Sequence, residues 1–169
     1  MPIPGPIPGV RPPPRKAGRI RSPPAARKVS MFELHPQLAK DCTGLGRLAL
    51  CRLLLMQDAN YPWFILVPER EGVREVHELE DADRRLLWDE SALLARALTK
   101  GFAPHKLNIA ALGNQVPQLH VHHIVRYSHD AAWPSPVWGK APPKAYYGAE
   151  PQKLRTLMQT LLGDSLHAD

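Results

Sequence analysis

One long leucine-striped segment between two pairs of short apolar runs limits what this chain can fold into. Residues 81–100 carry leucines at helical spacing, and Asp81 and Gly101 suit the N-cap and the C-terminal stop of a helix. RLALCRLLLM and WFILVPE precede it, separated by the turn signal DANYP. KLNIAAL and HVHHIVRY follow it, separated by a turn at Gly113-Asn114. With one strand for each run, the sequence predicts an α+β fold with an antiparallel sheet.

The C-terminal third of the chain has a different character. Residues 131–151 are punctuated by prolines, which predicts irregular structure. A short final helix is predicted after them, because four apolar residues recur at helical spacing: Leu154, Met158, Leu161 and Leu162.

Residues 1–30 differ in composition from the rest of the chain. They hold 9 of the 19 prolines and seven basic residues, with no acidic residue. Removing those seven from the 22 basic residues leaves 15 against 16 acidic residues, so the net charge of +6 belongs to this segment. Such a composition buries too little apolar surface to fold. We predict a disordered tail over residues 1–30 and one domain over residues 31–165.

Three roles for the tail stay open at this stage. It could be a solvated extension of a chain whose translation starts at Met31 and not at Met1. It could bind nucleic acid or another acidic partner weakly through its basic groups. A targeting peptide is the third role, although the prolines oppose an amphipathic helix.

Composition also excludes some classes of protein. No apolar run approaches the roughly 18 residues that a membrane helix needs, so we expect no membrane partner. Cys42 and Cys51 are the only cysteines and have no CxxC spacing, which argues against a disulfide framework. We therefore expect a cytoplasmic location.

The stretch QVPQLHVHHIVRY places three of the eight histidines within four positions. It is rich in Val, Ile and Leu and is bounded by turn signals, so it predicts a strand. Side chains alternate along a strand, which puts Gln118, His120 and His122 on one face and His123 on the other. The two histidines on the shared face would lie about 6.7 Å apart along the strand, from about 3.3 Å per residue.

Three interpretations of the paired histidines stay open. They could be ordinary surface or satisfied core groups. They could ligate zinc, but a zinc site needs at least three protein ligands, and no Cys, Asp or Glu lies nearby on the same face. They could supply a nucleophile, since neutral imidazole attacks phosphorus or acyl centres near neutral pH.

The line NQVPQLHVHHIVR resembles the histidine triad (HIT) family of nucleotide hydrolases and transferases. The hallmark of that family is His–apolar–His–apolar–His followed by two apolar residues, on a strand after a glutamine-bearing turn. Gln118 stands at the first triad position, His120 at the second and His122 at the third, and Arg126 falls where the family often has an arginine. The likeness covers roughly residues 31–140. It implies a HIT-like antiparallel sheet of about five strands, with one long helix between hairpins and a short C-terminal helix.

The resemblance also implies roles for individual residues. His120 would be the nucleophile that forms a nucleotidyl-histidine, which water then hydrolyses. His122, with Asn114 and Gln115, would bind phosphate oxygens. In the upstream hairpin, Gln57 or Asp58 would contact the ribose. No metal or cofactor is implied.

The sequence departs from the family pattern at two positions. Gln118 replaces the first triad histidine, which orients the nucleophile and assists proton delivery, and a glutamine cannot shuttle a proton at neutral pH. His123 stands where an apolar residue is usual.

These residues leave two readings of function. We expect a hydrolase or nucleotidyl transferase acting at the α-phosphate of a nucleotide conjugate, such as a dinucleoside polyphosphate or a nucleoside phosphoramidate. The alternative is a nucleotide-binding module of the same fold with negligible turnover.

A homodimer is expected, because HIT proteins are commonly two-fold dimers. Trp88 widens the apolar surface of the long helix, and Trp133 and Trp138 lie in a segment that cannot fold alone. The alternative is that Trp133 and Trp138 cover the edge of their own sheet.

Overall fold

The computed structural model describes residues 32–168, so the predictions for the tail lie outside the described residues. The described part contains five strands and three α-helices: α1 (Pro36–Asp41), β1 (Cys42–Arg47), β2 (Cys51–Met56), β3 (Trp63–Pro68), α2 (Asp81–Phe102), β4 (Lys106–Ala111), β5 (Val121–Arg126) and α3 (Glu150–Leu162). All strand pairs are antiparallel, in the order β1-β2-β3-β5-β4. The predicted α+β class, long helix between hairpins and short C-terminal helix are confirmed. No helix within residues 32–168 is long and apolar enough to cross a membrane.

The prediction of one strand over RLALCRLLLM is wrong. Residues 47–56 contain the end of β1, a turn and all of β2. The turn forms because the buried Glu90 carboxylate of α2 accepts hydrogen bonds from the backbone N–H groups of Leu50 (2.7 Å) and Cys51 (3.0 Å). The local apolar pattern carries no information about Glu90, which lies about 40 residues away in sequence.

Strand β1 contains two glycines and a bulge between Gly44 and Gly46. Its outer edge is joined to the C-terminal segment by two hydrogen bonds between the backbones of Arg47 and His167 (2.8 and 2.9 Å). Gly46 has φ +145°, and a Cβ there would lie 2.4 Å from the carbonyl oxygen of His167. Only glycine fits both the backbone conformation and this close approach.

The predicted ends of the long helix are both shifted. Glu80, and not Asp81, occupies the N-cap position. At the other end, the helix passes through Gly101 and stops at Ala103, which adopts the left-handed conformation (φ 45°). Gly101 serves packing instead, because a Cβ there would lie 2.6 Å from Leu161 of α3.

Both faces of the sheet are covered. On one face, α2 and α3 pack over alternate strand residues that include Leu53, Phe64 and Val125. On the other face, α1 and residues 132–138 pack over Ile65, Ile124 and their neighbours. Strands β3 and β5 are buried throughout, as central strands covered on both faces must be.

Candidate functional site

A cavity of about 450 Å³ opens on the sheet face that α1 and residues 132–138 cover. The paired histidines His120 and His122 form its floor beside Trp63, and Trp138 forms part of one wall. Helix α1 supplies another wall. The cavity therefore lies between the sheet, α1 and residues 132–138.

His120 directly precedes β5 and is 5% exposed. Its Nδ1 lies 2.6 Å from the carbonyl oxygen of Gln118. A carbonyl can only accept, so Nδ1 carries the hydrogen and Nε2 keeps its lone pair. Burial lowers the pKa of His120, with the hydrogen bond to Gln118 opposing and His35 adding to the shift, so the imidazole is neutral at pH 7.

His122 lies beside it, with ring centroids 4.8 Å apart. The indole Nε1–H of Trp63 donates a hydrogen bond to His122 Nδ1 (3.0 Å). Burial, followed by the nearby His120, lowers the pKa of His122 to about 3, and a hydrogen bond to the backbone of Leu112 offsets part of that shift. This imidazole is therefore also neutral at physiological pH.

His123 points to the opposite face, as the alternation predicts. It is fully buried, its Nδ1 donates to the Val121 carbonyl (3.2 Å), and the Ser91 hydroxyl of α2 donates to its Nε2 (2.7 Å). Burial lowers the pKa of His123 to about 4. This histidine is a satisfied core group and takes no part in the cavity.

The side chain of Gln118 is engaged by the N-terminal segment. Its Oε1 accepts from the backbone N–H of His35 (2.9 Å), and its Nε2 donates to the carbonyl of Glu33 (2.9 Å). The contact that orients His120 comes from the backbone of Gln118 and not from its amide. The glutamine therefore secures the segment that leads into α1.

Among the other predicted residues, Asn114 and Gln115 line the cavity. Gln57 and Asp58 are absent from its lining. The carboxylate of Asp58 accepts hydrogen bonds within its own loop from Asn60 (3.0 and 2.8 Å) and from the backbone N–H of Lys144 (3.1 Å).

Sequence reasoning missed the contribution of α1. Gln37 and Asp41 line the cavity, and Gln37 Nε2 donates to Asp41 Oδ2 (2.6 Å). Asp41 supplies the one carboxylate among the described lining residues, and no Lys or Arg lies among them. A six-residue helix carries too short a pattern to be recognised, so no signal in the sequence marks these two side chains.

A buried ion pair fixes the chain just after the histidine strand. Arg126 is 1% exposed and binds both carboxylate oxygens of Asp130 (2.7 and 3.0 Å) and Asn108 Oδ1 (2.5 Å). The guanidinium also lies over the Tyr61 and Trp133 rings, 5.8 and 5.7 Å from their centroids. These contacts fix the start of the segment that leads from β5 to Trp138 in the cavity wall.

Within residues 32–168 no group of three or more His, Cys, Asp or Glu is arranged to hold a metal ion.

The described fold and its histidine strand match known proteins. A family model described as the HIT domain matches residues 37–129. The chain is similar to the crystal structure of a histidine triad protein from Marinobacter aquaeolei VT8, with 47% identity, a TM-score of 0.78, and 80% of this chain and 99% of that one covered. A histidine triad protein from Bradyrhizobium japonicum has 42% identity and a TM-score of 0.77, covering 79% of this chain and 99% of that one. One from Sinorhizobium meliloti 1021 has 40% identity and a TM-score of 0.76, covering 78% and 97%. A comparison with curated protein sequences finds no match. By its family match and by these relatives, the chain belongs to the histidine triad family.

Proposed function

We propose that this chain is a hydrolase or nucleotidyl transferase that acts at the α-phosphate of a nucleotide conjugate through a nucleotidyl-His120 intermediate. The observation that carries the proposal is the 2.6 Å contact between His120 Nδ1 and the Gln118 carbonyl. It holds the hydrogen on Nδ1 and leaves Nε2 with a free electron pair on a histidine that lines the cavity.

The reaction has two displacement steps. His120 Nε2 forms a bond to phosphorus while the bond to the leaving group breaks, and the leaving group departs with its electron pair. Water then attacks the phosphorus, the nitrogen–phosphorus bond breaks, the electron pair returns to Nε2, and the proton lost by the water passes to solvent. Because Gln118 cannot deliver a proton, a leaving group that needs no protonation should react fastest.

We assign the binding of the phosphate oxygens to three side chains. Asn114 and Gln115 line the cavity on the turn before the histidine strand, and His122 adjoins the nucleophile. Amide and imidazole N–H groups stabilise the charge that develops on these oxygens in the transition state.

The charge of the cavity bears on the substrate class. No Lys or Arg lies among the described lining residues of this cavity, but Arg74 lines an adjoining pocket that shares Leu112, Asn114 and His120 with it. A nucleoside phosphoramidate needs less cationic compensation than a dinucleoside polyphosphate, but its amine leaving group needs a proton that Gln118 cannot deliver, whereas a phosphate leaving group needs none. Both substrate classes therefore belong in the assay. We infer that Gln37 and Asp41 contact the ribose, in preference to Gln57 and Asp58, because only the first two line the cavity.

The experiment is intact-protein mass spectrometry during turnover of adenylyl and guanylyl conjugates. A mass increase of one nucleotidyl group that maps to His120 is expected, with no adduct and no hydrolysis in His120→Ala. His77→Ala, which removes an exposed histidine outside the cavity lining, is the matched control. Unchanged hydrolysis by His120→Ala would refute the assignment.

The alternative function is a nucleotide-binding module without turnover. It is favoured by one observation: the Gln118 amide is consumed by Glu33 and His35 and does not contact the nucleophile. Calorimetry that finds AMP or GMP binding, together with no turnover of any conjugate, would support it. We expect Gln118→His to lower activity, because the change breaks both contacts. A large gain in rate would instead identify a decayed enzyme.

We also propose a homodimer formed through β4. This strand lies at one end of the sheet, and its Ile109 side chain is 43% exposed. Trp88 of α2 is 47% exposed. An edge strand with exposed apolar residues is a surface that a second copy can cover.

A further inference from the structure

The two cavity histidines have different partners at the same ring position. His120 Nδ1 faces a carbonyl oxygen, that of Gln118, at 2.6 Å. His122 Nδ1 faces a hydrogen-bond donor, the indole N–H of Trp63, at 3.0 Å. A neutral imidazole carries one hydrogen, so the first contact requires it on Nδ1 and the second requires it on Nε2.

We propose that Trp63 locks His122 in the tautomer opposite to that of His120, so that the adjacent rings work as a fixed pair of nucleophile and hydrogen-bond donor. His120 presents the unprotonated Nε2, and His122 presents an Nε2–H group. Trp63 is a positioning residue in this arrangement, since it acts through His122. The catalytic roles of the two rings rest on the proposed function, whereas the assignment of their tautomers rests only on the two hydrogen bonds.

The environment of His122 keeps the lock in place. Trp63 is only 6% exposed, and Trp138 packs against both rings, with centroids 5.6 Å from Trp63 and 5.4 Å from His122. A second hydrogen on His122 would sit on Nδ1 and point directly at the indole N–H of Trp63. Protonation therefore costs the hydrogen bond to Trp63 in addition to the desolvation of a buried cation.

The charged and titratable groups around His122 are few. His120 adjoins it, His123 follows it on the opposite face of the sheet, and Asp41 of α1 lines the same cavity. His120 and His123 both disfavour a positive charge on His122. The hydrogen bond to the backbone of Leu112 is the contact that favours one. The indole N–H and the Leu112 backbone agree on the ring nitrogen, because the first needs the lone pair of Nδ1 and the second accepts the one remaining hydrogen.

The test is long-range proton–nitrogen NMR of the chain with ¹⁵N-labelled histidine. The expected spectrum shows His122 with hydrogen on Nε2 and His120 with hydrogen on Nδ1, and the His122 pattern persists to pH 5. Trp63→Phe keeps an aromatic ring and removes the donor. It should give mixed His122 tautomers and raise the His122 titration midpoint by about one pH unit, the equivalent of one hydrogen bond.

Trp138→Phe is the matched control, because this indole contacts the same imidazole without a hydrogen bond to it. It should leave the His122 tautomer unchanged. The inference is overturned if wild-type His122 carries its hydrogen on Nδ1, if it titrates near pH 6.5, or if Trp63→Phe has no effect on it. If Trp63→Phe does not fold, the wild-type spectrum decides alone. Opposite tautomers in a chain that turns over no conjugate would uphold the pair and refute the proposed hydrolase.

Discussion

Replacing Asp130 by Asn should destabilise the fold strongly, because Asp130 is the only carboxylate in contact with the buried Arg126 guanidinium among the described residues. The side chains of the two residues are 1% and 4% exposed. Asp130 also accepts hydrogen bonds from the backbone N–H groups of Tyr127 (3.1 Å) and Ala132 (3.0 Å). An amide keeps the shape but leaves the cation without a counter-charge.

The size of the effect follows from the pKa of Asp130. Burial alone would raise this pKa, but the hydrogen bonds from Arg126, Ala132 and Tyr127 outweigh burial and lower it from 3.8 to about 2. At about 1.4 kcal/mol per pKa unit, the carboxylate contributes about 2 kcal/mol at neutral pH. Removing one partner of a buried pair costs about 3–5 kcal/mol. We expect Asp130→Asn to lower the free energy of unfolding by about 2–5 kcal/mol.

Urea unfolding of both chains as a function of pH checks this prediction. The pKa of Asp130 is depressed in the folded chain, so its stabilisation is complete above the unfolded value of 3.8 and is lost as pH falls through about 2. The difference in the free energy of unfolding between wild type and Asp130→Asn should therefore be constant from pH 5 to 8 and shrink below pH 4. Asp81→Asn is the control, since Asp81 pairs with Arg84 at the surface and is 72% exposed. Its loss should stay under about 1 kcal/mol. Equal losses in the two variants would refute the reasoning.

Three further predictions concern other parts of the fold. Glu90→Gln turns an amide NH₂ toward a turn whose N–H groups need acceptors, so chemical denaturation should show that the free energy of unfolding falls by about 1–3 kcal/mol. Wild-type stability in this variant would contradict the role of Glu90 in holding the turn. Cys42 and Cys51 are buried and free, and burial raises the pKa of the Cys42 thiol to about 12; Ellman's reagent should label neither residue before unfolding, and rapid native labelling would contradict this. Light scattering of a chain that starts at Met31 should give twice the monomer mass and Ile109→Lys should give the monomer mass, whereas a wild-type monomer at tens of micromolar would defeat the β4 interface.

The features predicted best from the sequence are those set by side-chain alternation. The period of a strand separates His120 and His122 from His123, and the structure keeps that separation, with His123 in the helix-covered core. Periodicity succeeds here because each face of a buried strand meets a different environment.

The features that were missed depend on contacts distant in sequence. The glycines of β1 break the apolar pattern, and the turn after it is held by Glu90 from α2. Helix α1 contributes Gln37 and Asp41 to the cavity, yet it is docked by the amide of Gln118, more than 80 residues away. A sequence pattern places a glutamine at the triad position and carries no information about which group that amide will bind.

The pairing of Arg47 with His167 has a consequence for aggregation. An unpaired sheet edge is a template on which another chain can add a strand, and natural proteins cover or distort such edges. Here the bulge at Gly44–Gly46 distorts β1, and the backbone of His167 occupies the hydrogen-bonding groups of Arg47 at its end. A chain shortened before Leu166 would lose this cover while keeping its cavity intact. We expect such a chain to be lost to self-association through the β1 edge during storage while its histidines stay in place.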